Sequence, residues 1–246
     1  MGRRFDDHLT FLREFRRSFE TTGAVAPSGR SLARAMTHNL ADGSSPRSIL
    51  EVGPGTGAVT RAILGRLRPG DCLDLVEINP DFADHLVRRF RADAEYAAHA
   101  EQCHVHCCAL QDFAGRPGGY DAVISGLPFN NFATELVVDL IDAAIGHVRP
   151  GGTLSFFEYM YVRPVRQRIG RRPDRTRLTR IEAALQRRLA RHRFRTDWVF
   201  ANLPPAWVQH LRIDAAADPA AASPTAAAVG GPPHAASTRP PASEPV

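Results

Sequence analysis

Ser48-Ile49-Leu50-Glu51-Val52-Gly53-Pro54-Gly55-Thr56-Gly57 is the stretch around which the rest of the chain is read. Ile49, Leu50 and Val52 form a short apolar run around an acid and lead into three glycines at alternate positions. The pattern predicts a buried strand entering a tight turn, followed by a helix over residues 58–66. Gly53 and Gly55 allow positive φ and let the backbone touch a ligand, because no Cβ intervenes. Gly57 opens the helix, whose first amides make a partly positive site. About 20 residues beyond the last glycine, Leu73-Asp74-Leu75-Val76-Glu77 predicts a second strand ending in an acid. In doubly wound folds that acid takes ribose hydroxyls.

Two cofactors fit such a turn. Gly53-x-Gly55-x-x-Ala58 satisfies the dinucleotide fingerprint, a weak signal by itself. The order E-x-G-x-G-x-G, with Glu51 at the strand end, points instead to S-adenosylmethionine. That cofactor carries an ammonium and a sulfonium but no pyrophosphate, which an acid would repel. A glycine turn without a ligand is the third alternative.

At 246 residues the chain suits one domain with a sizeable core and a tail. Hydrophobic content of 43% and charged content of 23% are those of a soluble globular protein, which argues against an extended polar chain. Nothing approaches the ~18 consecutive apolar residues of a membrane span, and the N-terminus lacks a signal-peptide core. All basic side chains are arginine, and the net charge is +5. The four cysteines, Cys72, Cys103, Cys107 and Cys108, are expected to be reduced. Cys103-His104-Val105-His106-Cys107-Cys108 lacks metal-ligand spacing and splits its side chains over two strand faces, so it reads as a third strand and no metal is expected.

Residues 3–20 predict a helix with Phe5, Leu9, Leu12, Phe15 and Phe19 on one side and Phe11 at its edge. The stripe suits either packing on the domain or lying in a membrane boundary. A helix over residues 31–40 follows, with Ser28 able to cap it. Beyond Glu77 the chain predicts a helix over 81–92 and a third strand over about 104–110 ending near Asp112. A fourth strand over 120–125 ends on Ser125, a helix covers 134–147, and a fifth strand spans 153–161. Alternation at this spacing means an α/β sheet, with ligands beyond the carboxyl ends of the strands, where Glu51, Glu77, Asp112, Ser125 and Glu158 fall. Thirteen arginines stand in residues 163–195, too lopsided for an ordinary solvated face. Residues 198–200 and 206–213 predict two closing strands, and residues 214–246, rich in Ala and Pro, predict a disordered tail. The domains expected are therefore 1–40 (N-terminal helices), 41–213 (catalytic) and 214–246 (tail).

With the glycine turn, Glu77, Gly126-Leu127-Pro128 and Pro150-Gly151-Gly152 in hand, the chain resembles the class I S-adenosylmethionine-dependent methyltransferases. These have a Rossmann-like seven-stranded α/β sheet with helices on both faces. Within them it resembles the bacterial phospholipid N-methyltransferases and their ornithine-lipid relatives. Four stretches carry this: Thr22-Gly23-Ala24-Val25-Ala26-Pro27-Ser28, the glycine turn, Ser125-Gly126-Leu127-Pro128-Phe129, and Leu203-Pro204-Pro205-Ala206-Trp207-Val208. The glycine turn marks only the superfamily; the T-G-A-V-A-P-S and S-G-L-P stretches are more specific.

The resemblance implies cofactor contacts from Glu51, Gly53, Gly55, Gly57 and Glu77, with Asp112 near the adenine; Ser125 is grouped with them. It also implies that the N-terminal amphipathic helix binds membrane. The substrate is then an aminolipid, phosphatidylethanolamine or ornithine lipid, on an anionic surface at the inner face of the cytoplasmic membrane, and the protein is a monomer. Phe156-Phe157-Glu158-Tyr159-Met160-Tyr161 departs from the more neutral strand end expected there. Glu158, Tyr159 or Tyr161 is the candidate to accept the amine proton or position the amine. The faces of Phe129, Phe132, Tyr159 and Tyr161 are candidates to hold a methylated cation. RNA adenine dimethylases share the glycine motif and a related N-L-P-[YF] stretch, which makes RNA the alternative substrate. Gly126 replaces their amine-holding asparagine. A membrane-binding module with a vestigial loop is the non-enzyme alternative, opposed by the intact Glu51 and Glu77.

Overall fold

The structure is a computed structural model and describes residues 27–40, 45–129, 132, 134–160, 183, 186 and 189–214. The predicted helix over 3–20, Tyr161, most of the arginine-rich segment and the tail from residue 215 lie outside the described residues. Seven strands form one sheet: β1 (Ser48–Val52), β2 (Cys72–Glu77), β3 (Cys103–Cys107), β4 (Tyr120–Ser125), β5 (Val148–Tyr159), β6 (Arg193–Val199) and β7 (Ala206–Arg212). Their order is β3-β2-β1-β4-β5-β7-β6. The first five run parallel, and β7 is antiparallel to both β5 and β6. The helices are α1 (Pro27–Met36), α2 (Ala58–Leu64), α3 (Pro80–Ala92), α4 (Ala94–Ala97) and α5 (Thr134–Gly146).

β1, β2 and β4 are buried along nearly their whole length, because helices cover both faces of a parallel sheet. On one face Ile49, Leu73, Leu75 and Ile124 pack against Leu32 and Met36 of α1, Ile63 and Leu64 of α2 and Leu86 of α3. On the other, Leu50, Val52, Val123 and Phe156 pack against Val137, Leu140 and Ile141 of α5. Parity along each strand therefore assigns a side chain to one face or the other. α1, from the stretch grouped with the N-terminal helices, packs into the same core as the sheet.

Element ends differ from expectation where local polar contacts decide them. α1 begins at Pro27, so Ser28 lies in its first turn instead of capping it from outside; proline suits the first helical position. α3 begins at Pro80, one residue early, because the Asn79 side chain accepts the Asp81 amide at 2.9 Å. β3 stops at Cys107, and residues Leu110–Asp112 form a 3₁₀ turn instead of the strand's end. β5 begins at Val148 rather than at residue 153, with a register shift opposite Tyr120/Ala122, and β6 begins at Arg193.

The buried carboxylates of the sheet base are fully partnered. Asp71 accepts from the Arg47 amide and guanidinium and from the Arg68 amide. Asp74 accepts from Arg116 Nε (2.5 Å), His106 Nε2 (2.8 Å) and Tyr120 Oη (3.0 Å). Burial pushes both acids up, but these donors outweigh it and hold both below the usual carboxylate range.

Candidate cofactor and methyl-acceptor site

The order β2-β1-β4 puts the topological switch point between β1 and β4, where open α/β sheets take ligands. Gly53, Gly55 and Gly57 all have left-handed φ, at 66°, 55° and 85°, so the alternate glycines are a conformational requirement. The turn is tied to both neighbouring strands. Gly53 N donates to Val76 O at 2.9 Å, and Gly126 N donates to Val52 O at 2.8 Å. Tyr96 and Arg89 fasten its outer side: Tyr96 Oη donates to Gly57 O at 2.8 Å and Arg89 Nη1 to Thr56 O at 3.2 Å. Sequence reasoning missed these two, since nothing in the local pattern of α3 or α4 marks them as partners of the turn.

Glu77 reaches under the turn. Its Oε2 accepts the Gly55 amide at 3.0 Å and its Oε1 the Asn79 amide at 2.9 Å. Burial raises its pKa, opposed by those amides and that of Ile78. Glu51 is completely buried, and neither carboxylate oxygen makes a hydrogen bond. Burial above all, with Glu77 adding to it, raises its pKa to about 8. The Thr60 hydroxyl and amide lie near enough to favour the charged form, without a directed bond. Unlike Asp71 and Asp74, Glu51 has no protein donor in hydrogen-bonding geometry, only Thr60 nearby.

This arrangement fits a cationic cofactor. A buried acid lacking a donor and a turn with open space at Gly55, where an added Cβ meets nothing within 4 Å, complement the ammonium and sulfonium of S-adenosylmethionine. The same acid disfavours a pyrophosphate. Ser125 is buried at the end of β4, opposite Val52, and its Oγ accepts the Leu127 amide at 3.4 Å. Asp112 is exposed in the 3₁₀ turn past β3, beyond the strand end that pairs Cys107 with Glu77.

The candidates to accept the amine proton or position the amine are divided by the sheet. Tyr159 packs with the α1 face, its ring 5.1 Å from Phe157. Glu158, buried, takes the opposite parity, on the face of Phe156 and α5, and pairs across with Trp207. Burial raises the Tyr159 pKa, so the side chain stays a phenol and little phenolate is present to take a proton. Phe129 and Phe132 lie with the Glu158 face, so Tyr159 cannot join them in one aromatic cage. Trp207, absent from the sequence candidates, has a buried indole Nε1 without a partner beside this row.

Gly126 and Gly55 make opposite predictions. A Cβ on Gly126 would meet Gly53 O at 2.7 Å, backbone against backbone. Gly126→Ala is therefore expected to lower the melting temperature and cofactor affinity together. Gly55→Ala costs only the strain of one left-handed residue, roughly 1–2 kcal/mol, yet fills space open to a ligand. Thermal melts with and without S-adenosylmethionine separate the two; equal effects would count against this cradle.

The matches to known proteins follow this geometry. Residues 49–152 match the family model described as a methyltransferase domain. The chain is 31% identical over 149 residues to the ornithine lipid N-methyltransferase of Singulisphaera acidiphila, covering 61% of this chain and 76% of that protein. The O-methyltransferase TomG from Streptomyces achromogenes, solved with S-adenosylmethionine, superposes with a TM-score of 0.55 at 16% identity, covering 85% of this chain and 89% of that one. The mitomycin 7-O-methyltransferase MmcR superposes at 0.51 and 16% identity over 74% of this chain, which spans 53% of that larger one. At such identities the two structures speak for the fold alone.

Fold and matches define a class I methyltransferase, a class that takes its methyl group from S-adenosylmethionine. The chain belongs to the same methyltransferase family as the ornithine lipid N-methyltransferase of Singulisphaera acidiphila.

Proposed function

We propose that this protein transfers methyl groups from S-adenosylmethionine to the amino headgroup of a membrane lipid, phosphatidylethanolamine or ornithine lipid. The observation that carries the reading is the 31% identity to an ornithine lipid N-methyltransferase. Among the described residues no helix is long and apolar enough to cross a membrane; in this reading the lipid is met at a surface. In this reading residues 1–40 serve membrane contact and cofactor cover, 41–213 catalysis, and 214–246 form a tail.

S-adenosylmethionine, when bound, supplies a methyl group already activated on a sulfonium. Glu51, Gly53, Gly55, Gly57 and Glu77 would hold it, with Ser125 and Asp112 flanking. Gly53 and Gly55 give close backbone approach, while Glu77 braces the turn from below. The chain's remaining tasks are to align the amine, exclude water and remove its proton. Glu158 is the proton acceptor we favour, because it stands at the end of β5 on the face of Phe129 and Phe132, whose rings suit a cation. Tyr159 supports it from the opposite face through packing, and Tyr161 remains a candidate positioner.

Purified protein with labelled S-adenosylmethionine and mixed micelles of each lipid is the test, read by mass spectrometry. Mass gain on an aminolipid is expected. Transfer to ribosomal RNA, with no lipid modified, would replace this reading by the RNA alternative.

A further inference from the structure

Among the described residues the exposed large apolar side chains all lie on β6 or in the turn after it: Phe194, Trp198, Phe200 and Leu203. Phe194 sits at the far end of the strand, with the Arg212 guanidinium 4.7 Å from its ring centre. The other three gather at the opposite end and are 61%, 65% and 84% exposed. Both Val199 and Tyr159 pair with Ala206, so this end of β6 lies beside the carboxyl end of β5. It is the end of the sheet that carries the glycine turn.

Three observations make this more than scattered surface leucine and phenylalanine. The Trp198 ring lies 5.8 Å from Phe200 and 5.7 Å from Trp207, and Trp207 pairs with Glu158, so a continuous row joins the exposed rim to the buried acid. The turn is held in place: buried Asn202 donates to Pro204 O at 2.6 Å, and Met160 N donates to Pro205 O at 2.8 Å. Residues 200–205 carry no charge, and the exposed Arg191, Arg193 and Arg195 stand back toward the Phe194 end of β6. The acid on that strand, Asp197, is taken by Arg195 at 2.6 Å. An uncharged apolar tip containing Trp, with exposed Arg191 and Arg193 set back toward the other end of the same strand, matches the chemistry of a bilayer interface with anionic headgroups beyond it.

We propose that residues 198–203 insert into the interfacial layer of an anionic phospholipid bilayer and set the β5 end of the sheet against the membrane. The assignment rests on the lipid reading above and names the surface that serves it. Lipid then reaches the Glu158 row from the edge of the sheet without leaving the interface.

Full-length Trp207→Phe leaves Trp198 as the sole indole, since the chain has two tryptophans. Vesicles of phosphatidylglycerol and acyl-brominated phosphatidylcholine are expected to quench Trp198 and shift its emission to the blue. Phe200→Ser with Leu203→Ser is expected to lower vesicle affinity by about tenfold or more at high and low salt, because apolar insertion is not screened. Calorimetry should find S-adenosylmethionine affinity unchanged in the double variant, showing a folded protein. Unchanged Trp198 emission with vesicles, or a double variant that co-sediments like the parent, overturns the proposal. So does a parent dimer that the double variant abolishes, which would assign the patch to a second copy. Methylation of detergent-dispersed aminolipid by a protein whose Trp198 is never quenched leaves the function standing and removes only this surface. Quenching without any lipid methylated does the reverse.

Discussion

Glu77→Ala is expected to lower S-adenosylmethionine affinity by about a hundredfold, roughly 2.7 kcal/mol. Glu77 holds the Gly55 and Asn79 amides at 3.0 and 2.9 Å, so its loss frees the turn as well as removing an acceptor for the cofactor. Hydrogen bonds to a charged group contribute about 1.5–3 kcal/mol each, enough for this effect even if only part of the turn relaxes. Glu77→Gln keeps one acceptor oxygen and should fall between the two. Isothermal titration calorimetry on the three proteins is the measurement. Equal affinity in Glu77→Ala and parent would remove Glu77 from the cofactor site.

The second large effect is on stability and runs through Glu51. Its carboxyl titrates near 8 in the folded protein against an ordinary value of 4.5, so between these the native state keeps a proton that the unfolded chain has released. Stability is therefore greatest below the lower value and declines as pH rises toward 8, at up to about 1.4 kcal/mol per pH unit. Asp71 and Asp74, held low, act oppositely and in a lower window: their contribution is lost only as pH falls below the ordinary carboxylate range. Glu51→Gln removes the ionisation and leaves the shape. The ligand-free variant is expected to melt about 5 °C or more above the parent at pH 8 and to lose most of the parent's slope between pH 5.5 and 8. The same variant should bind S-adenosylmethionine more weakly, since a neutral amide does not complement an ammonium. Parallel melting curves across this range would show that Glu51 is not held protonated.

Such a trade of stability for binding is expected at a ligand site. At the base of the sheet Asp71 is matched by arginine, and Asp74 by arginine, histidine and tyrosine. Glu51 and Glu77, at the carboxyl ends of β1 and β2, face backbone amides or nothing. The contrast within one sheet sets these two acids apart from those at its base.

The alternating glycines, the apolar runs of β1, β2 and β4 and the acids that end β1 and β2 were legible from residue order alone. Each depends on local rules: the period of a strand, the φ that only glycine adopts cheaply, and the spacing of a strand-turn-strand unit. The same rules determined an α/β class and a cationic cofactor over a dinucleotide. They could not say that Glu51 lacks a donor, because that depends on what α2 and β2 bring against it. Nor could they find Tyr96 and Arg89 as fasteners of the turn, which lie 39 and 33 residues from the atoms they bond. Adjacent Glu158 and Tyr159 were alternatives for one role in the sequence, and β pleating sends them to opposite faces of the sheet. Only the antiparallel pairing of β5, β7 and β6 put Glu158, Trp207 and Trp198 in one row, because strand register is a long-range choice made by the packed core.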